Sequence, residues 1–292
     1  MSLYYKVSGG GNDFLALIEP ERDPTAAEIA AWCRRGLSLG ADGLFVLRRQ
    51  GAGAVRMDYW NADGRPADLC LNGTRCAARL AFALDWAPGE VTVHTGAGAV
   101  RAQLLDRARV ALGLAPPARP PEPRGVVLDG EQHRGHFVVV GVPHFVLLWP
   151  EGLAHAPVDE LGRRLRRHPL FGPAGTNVDF VRFRAAQEME IRSFERGVEA
   201  ETLACGTGVL AAAAVGLQLG IARLPLVALT AGGFHFEVIA GASGSAEWEL
   251  AGDARLLARG ELLPEAAALP PPPRWSEPDE SRARSDTIGP RS

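Results

Sequence analysis

Glu195-Arg196-Gly197-Val198-Glu199-Ala200-Glu201-Thr202-Leu203-Ala204-Cys205-Gly206-Thr207-Gly208 decides the fold. An alternating apolar stretch at 189–194 runs into a turn at 195–197. A cysteine followed by two glycines then opens an Ala-rich helical segment reaching Leu219. The same device occurs earlier in the chain. Strand-like residues 55–60 lead to the turn cluster Asn61-Ala62-Asp63-Gly64-Arg65-Pro66, then Cys70-Leu71-Asn72-Gly73, and a helix at 74–84. Two copies of strand, turn, cysteine and small-residue helix predict an α+β protein of two similar domains facing each other across a cleft.

Outward from these segments the first copy reads as strand, turn, helix, strand. Residues 3–7 and 14–18 are short apolar runs around Ser8-Gly9-Gly10-Gly11-Asn12-Asp13. Residues 25–35 are helical, with Thr25 as N-cap and Glu28 completing a capping box. Strand patterns follow at 44–48, 91–95 and 100–105. Five prolines within residues 115–123 mark a linker. Beyond it, strands are expected at 137–140, 145–148, 178–182, 226–230, 234–239 and 246–250, with a helix at 158–167. The expected division is therefore 1–117, 118–263 and a Pro-rich tail, 264–292, whose polar end reads as a disordered extension.

The 292 residues are 47% hydrophobic and 22% charged, a composition that buries a sizeable core. A net charge of -3 gives no pull toward nucleic acid or an anionic membrane. With no targeting segment and no apolar run long enough to span a bilayer, the cytoplasm is the default location. The four cysteines, Cys33, Cys70, Cys76 and Cys205, show neither C-x-x-C nor zinc spacing, so no metal site is expected. Cys33 and Cys76 read as buried thiols. Lys6 is the only lysine and sits on a strand, which disfavours a pyridoxal phosphate enzyme; no cofactor is expected.

A cysteine at a helix start meets free backbone N–H groups and the positive end of the helix dipole, which favour a thiolate. The same groups hold carboxylates. Two such cysteines on facing domains fit proton transfer on both faces of one carbon, one as base and the other as acid, exchanging roles with each turnover. Two helix starts aimed at the substrate carboxylate would stabilise the enolate-like charge.

Ser8-Gly9-Gly10-Gly11-Asn12-Asp13-Phe14 resembles the N-terminal signature of the diaminopimelate epimerase family. Asn61-Ala62-Asp63-Gly64 with Cys70-Leu71-Asn72-Gly73-Thr74-Arg75-Cys76 resembles its first catalytic segment, and residues 195–208 resemble its second, which is the most specific of the set. Pro143-His144 and Asn177-Val178-Asp179-Phe180 follow in the family's order, so the resemblance spans roughly residues 1–260. It implies two mixed sheets, each wrapped around a central helix and related by a pseudo-twofold axis. It further implies that Cys70 and Cys205 are the acid/base pair of a diaminopimelate epimerase, with His144 near Cys70 and Glu195 near Cys205 tuning the thiols. Asn12, Asn61, Asn177, Glu195 and Arg196 would hold the far end of the substrate. Asn72, Gly73, Gly206 and Thr207 would surround the reacting carboxylate. The resemblance also implies a homodimer that takes a small-molecule substrate.

Residue by residue, plainer readings stay open: His144 as a satisfied strand histidine, Glu195 and Arg196 as a surface pair, Asn12 and Asn61 as turn residues. Leu71 stands where the family usually has Gly, Val142 where many members carry Asn, and Gly43 where some carry Gln. These departures touch the substrate grip and leave the two cysteines in place. A racemase of the same fold acting on another amino acid, such as histidine, is the first alternative. An isomerase using an acidic residue and a non-catalytic binding protein are others, and retention of both cysteines argues against them. Two thiols flanking one carbon would also be able to form a disulfide on oxidation.

Overall fold

The computed structural model describes residues 2–241 and 247–268. The first half of the chain forms β1 (Ser2–Gly9), β2 (Asn12–Ile18), α1 (Ala26–Trp32), β3 (Gly43–Arg49), β4 (Ala54–Asn61), β5 (Pro66–Ala67), α2 (Leu71–Ala83), β6 (Glu90–Thr95), β7 (Gly98–Leu104), β8 (Arg109–Leu114) and β9 (Glu122–Leu128). The second forms β10 (Glu131–Val140), β11 (Val142–Leu148), α3 (Val158–Arg166), β12 (Asn177–Ala185), β13 (Glu188–Glu195), β14 (Ala200–Thr202), α4 (Gly206–Gln218), β15 (Leu226–Thr230), β16 (His235–Ala240), β17 (Trp248–Asp253) and β18 (Arg255–Leu262).

The two runs of elements match one for one. β1–β2 and β10–β11 are antiparallel, β2–β3 and β11–β12 parallel, β3–β4 and β12–β13 antiparallel, and β4–β6 and β13–β15 parallel. The repeat therefore extends from the cysteine segments to the whole strand order, as a mixed sheet of α+β class.

The halves are joined in two ways. The equivalent strands β8 and β17 pair antiparallel. β9 pairs with β10, and its counterpart β18 pairs with β1. Each run thus gives its last strand to the sheet of the other half. Residues 255–262, expected within the second domain, lie along β1 of the first. All the strands join into one sheet.

The sheet wraps α2 and α4. Eleven of the thirteen residues of α2 are buried, as is most of α4 from Gly206 to Gly216. A helix apolar or small on every side belongs inside. The core around both helices is continuous, whereas α3 and α1 cover separate clusters on the outer faces. Thr25 caps α1 with the expected reciprocal Glu28 contact. Of the tail, Pro264–Ala266 form a short 3-10 turn, and Ala266 and Ala267 pack on the cluster over α1. Residues 269–292 lie outside the described residues. Among the described residues no helix is long and apolar enough to cross a membrane.

Candidate active site

Cys70 and Cys205 are the N-cap residues of α2 and α4, both with extended backbone. The first turn of α2 donates the Gly73 N–H to Cys70 Sγ at 3.4 Å, and Cys205 Sγ lies 3.4 Å from Thr207 Oγ1. The two helix starts touch: a Cβ on Gly206 would lie 3.4 Å from Leu71 Cδ1. Leu71 is buried and fills the seam between them. The Gly-rich β1–β2 hairpin closes over the same place. Gly10 and Gly11 have positive φ, and side chains there would strike Asn72 and Leu203 respectively, one residue from each half.

Around Cys70 the polar residues form a chain. Asn72 Nδ2 donates to Asn12 Oδ1 at 2.8 Å, and Asn12 Nδ2 donates to Asp42 Oδ2 at 3.1 Å. Asn72 Oδ1 accepts from the fully buried Arg75, whose guanidinium also lies 4.7 Å from the Phe236 ring centre. Tyr59 Oη donates to Asn61 Oδ1 at 3.3 Å, with Asn61 exposed at the end of β4. Gly43 is explained locally, because any side chain there would meet Tyr59 and the Trp60 carbonyl.

Around Cys205 the partners are ionic. His144, Asp179 and Ser193 are buried. His144 Nδ1 lies 2.7 Å from Asp179 Oδ2, and Ser193 Oγ donates to Asp179 Oδ1 at 2.6 Å. Glu195 accepts from Thr202 Oγ1 at 2.5 Å. Asn177 Oδ1 accepts from the Arg196 N–H at 2.8 Å. Among the described residues, the half-buried Arg196 guanidinium has no hydrogen bond or ion pair. His144 lies on β11, and its hydrogen bond is to Asp179.

The two thiols feel different fields. Burial pushes the Cys70 thiol up, the Gly73 N–H and the Arg75 charge pull it down, and Glu195 pushes it up again. Cys205 is held well above the usual thiol range, first by burial and then by the charges of Glu195 and Asp179. Burial also raises Glu195, against hydrogen bonds from Thr202 and Cys205. Cys33, pushed up to about 12 by burial, and Cys76, pushed up by the same cause, are inert core thiols. Lys6 is committed to Asp13 at 2.6 Å.

The sequence reading missed Tyr59, Arg75, Asp179 and Ser193. Asp179 and Arg75 stood inside quoted motifs, and Tyr59 and Ser193 each lie two residues before a named site residue and so share its strand face. No group of His, Cys, Asp and Glu among the described residues is arranged to hold a metal ion.

Residues 4–117 and 136–242 match the diaminopimelate epimerase family. The diaminopimelate epimerase of Hydrogenobaculum sp. is 36% identical over 238 residues, 77% of this chain and 86% of that one. That of Aquifex aeolicus is 35% identical over 244 residues, 79% and 87%. Among solved structures, a probable proline racemase from Agrobacterium radiobacter with bound carbonate shares the fold. Its TM-score is 0.68 and its identity 17%, covering 91% of this chain and 96% of that one. With the family's match extending over most of both halves and relatives above one third identical, the chain belongs to the diaminopimelate epimerase family of isomerases.

Proposed function

We propose that the chain interconverts LL- and meso-2,6-diaminopimelate by two-base proton transfer at the α-carbon, with Cys70 and Cys205 as the acid/base pair. The observation that carries this reading is the contact between the two cysteine-capped helix starts, Leu71 against Gly206. A thiol at each of two touching helix starts supports a reaction on opposite faces of one carbon.

The chemistry follows from the surroundings. A desolvated thiolate is a stronger base than one in water, which suits a weakly acidic α-proton. The Arg75 cation near Cys70 favours its thiolate, the form that takes a proton. Glu195 and Asp179 favour the protonated form of Cys205, the form that delivers a proton to the opposite face. As the α-proton leaves, charge develops on the substrate carboxylate. The N–H groups at Asn72 and Gly73 and at Gly206 and Thr207 are the available donors. Arg196 has a free guanidinium for the distal carboxylate. Asn61, Asn177 and Glu195 complete the grip on the distal amino-acid group, and Asn12 acts with Asn72. The reaction draws on no cofactor, in keeping with a single lysine held by Asp13. The family resemblance also supports a homodimer working in the cytoplasm.

The test is incubation of the reduced protein with LL-diaminopimelate and chiral chromatography of the product. Formation of the meso isomer, with proline and histidine unchanged, is expected. Racemisation of proline or histidine with diaminopimelate untouched would contradict the substrate assignment.

A further inference from the structure

The internal repeat supplies a control for the polar cluster behind Cys205. β3–β4 register sets Phe45 opposite Tyr59, and β12–β13 register sets Asp179 opposite Ser193. In the parallel pairs, Phe14 begins β2–β3 pairing at Gly43, and His144 begins β11–β12 pairing at Asn177. Phe14, Phe45 and Tyr59 of the first half are thus the counterparts of His144, Asp179 and Ser193. In the first half these positions form an aromatic cluster, with ring centres 6.3 Å apart for Phe14–Phe45 and 6.0 Å for Phe14–Tyr59. The fold is content with phenylalanine at the first two positions and with a tyrosine, whose hydroxyl reaches Asn61, at the third. An imidazole, a carboxylate and a hydroxyl at the same buried positions carry a desolvation cost that aromatic packing does not.

Two further observations give that cost a purpose. His144 Nε2 is buried and has no hydrogen-bond partner among the described residues. Asp179 also abuts the first turn of α4, since a Cβ on Gly208 would lie 2.5 Å from Asp179 Oδ1 and 3.2 Å from Ser193 Oγ. The carboxylate is therefore held between the imidazole and the helix that Cys205 caps.

We infer that Asp179 is a positioning residue: it accepts a hydrogen bond from His144 Nδ1–H, oriented by Ser193, and so leaves Nε2 as the imidazole atom that faces the reacting groups. An ionised carboxylate only accepts, so its two oxygens, one taken by Ser193, fix both the ring orientation and the tautomer. A proton arriving at Nε2 then gives an imidazolium already paired with a carboxylate. This inference rests on the two-thiol reading above for what Nε2 serves, but the tautomer itself does not depend on it.

The experiment is a long-range 1H–15N correlation on the full-length reduced protein with 15N-labelled histidine, His144 being assigned by its loss in His144→Gln. The expected spectrum shows Nδ1 carrying a proton. In Asp179→Asn, whose amide can donate to Nδ1, that proton moves to Nε2. kcat on diaminopimelate falls roughly 10- to 100-fold with KM nearly unchanged. Adding Asp179→Asn to His144→Gln costs nothing further. A bare Nδ1 in the wild-type protein overturns the inference, and so does an Asp179→Asn protein with unchanged tautomer and kcat. Should Asp179→Asn fail to fold, the wild-type spectrum and Ser193→Ala decide: the latter leaves the accepting Asp179 oxygen in place and is expected to keep the Nδ1 proton, and its loss there would count against the inference. A protein inactive on diaminopimelate yet protonated at Nδ1 would remove the substrate assignment and leave the network standing.

Discussion

The first half backs its cysteine with Phe14, Phe45 and Tyr59; the second backs its cysteine with His144, Asp179 and Ser193. The backbone around the two is the same, strand for strand, and each thiol caps a buried helix. What differs is the charge: the buried cation Arg75 acts on Cys70 and Asp179 on Cys205, while Glu195 acts on both and stands higher among the causes at Cys205. A symmetric scaffold sets a thiol at the start of each of two touching buried helices. Asymmetric side chains then put the two thiols in unlike fields.

The comparison can be broken most severely by removing either thiol. Cys70→Ala and Cys205→Ala are each expected to lower the epimerisation rate by about 10²–10⁴-fold, because unlike surroundings do not make either partner dispensable; a chiral product assay on each variant reads this. Glu195→Gln sharpens the comparison. Loss of its charge lowers the Cys205 thiol, so site-resolved alkylation of Cys205 near neutral pH should speed up while kcat falls. Unchanged Cys205 alkylation would show that Glu195 does not set its ionisation. Arg75→Met acts in the opposite sense on the other thiol. Without the nearby cation Cys70 gives up its proton less readily and its alkylation slows, with Cys205 unaffected.

The smallest effect separates equivalent glycines. A side chain on Gly73 would meet the mobile end of Met57 at 3.0 Å, whereas one on Gly208 would meet the Asp179 carboxylate at 2.5 Å. Gly208→Ala should therefore cost about 1–3 kcal/mol in denaturant unfolding and Gly73→Ala less. Equal costs would mean that Asp179 is free to move aside.

Much of this was legible in the sequence. The turn residues, the cysteine at each helix start and the small-residue helices are local signals, and they carried the two-part α+β plan and the place of Cys70 and Cys205 at the helix starts. Thr25 and Glu28 formed the capping box that their spacing predicts. Of the strands that escaped notice, β18 and β9 have weak local patterns, whereas β8 is a short apolar run. β18 faces solvent along most of its length, and β9 starts within the proline-rich segment. Their exchange between halves is a long-range pairing with no local signature. α2 begins at Leu71, three residues ahead of the expected start, because the N-cap is the cysteine itself. Asp179 was visible as a letter in a motif, but its role depends on the β11–β12 and β12–β13 registers, which bring residues 144, 179 and 193 together. The field difference between the thiols likewise needs burial, itself the largest cause at both, which strengthens the effect of Arg75 on one and of Glu195 and Asp179 on the other.

The central claim, proton transfer between two thiols across one carbon, is tested most directly by starting from LL-diaminopimelate in D2O and locating deuterium at early times by NMR and mass spectrometry. Two bases predict that meso product carries deuterium at the α-carbon while the remaining LL substrate keeps its hydrogen, and that either cysteine variant slows the conversion by about 10²-fold or more. Meso product that retains the substrate hydrogen, or conversion at near the wild-type rate after loss of one cysteine, would contradict it.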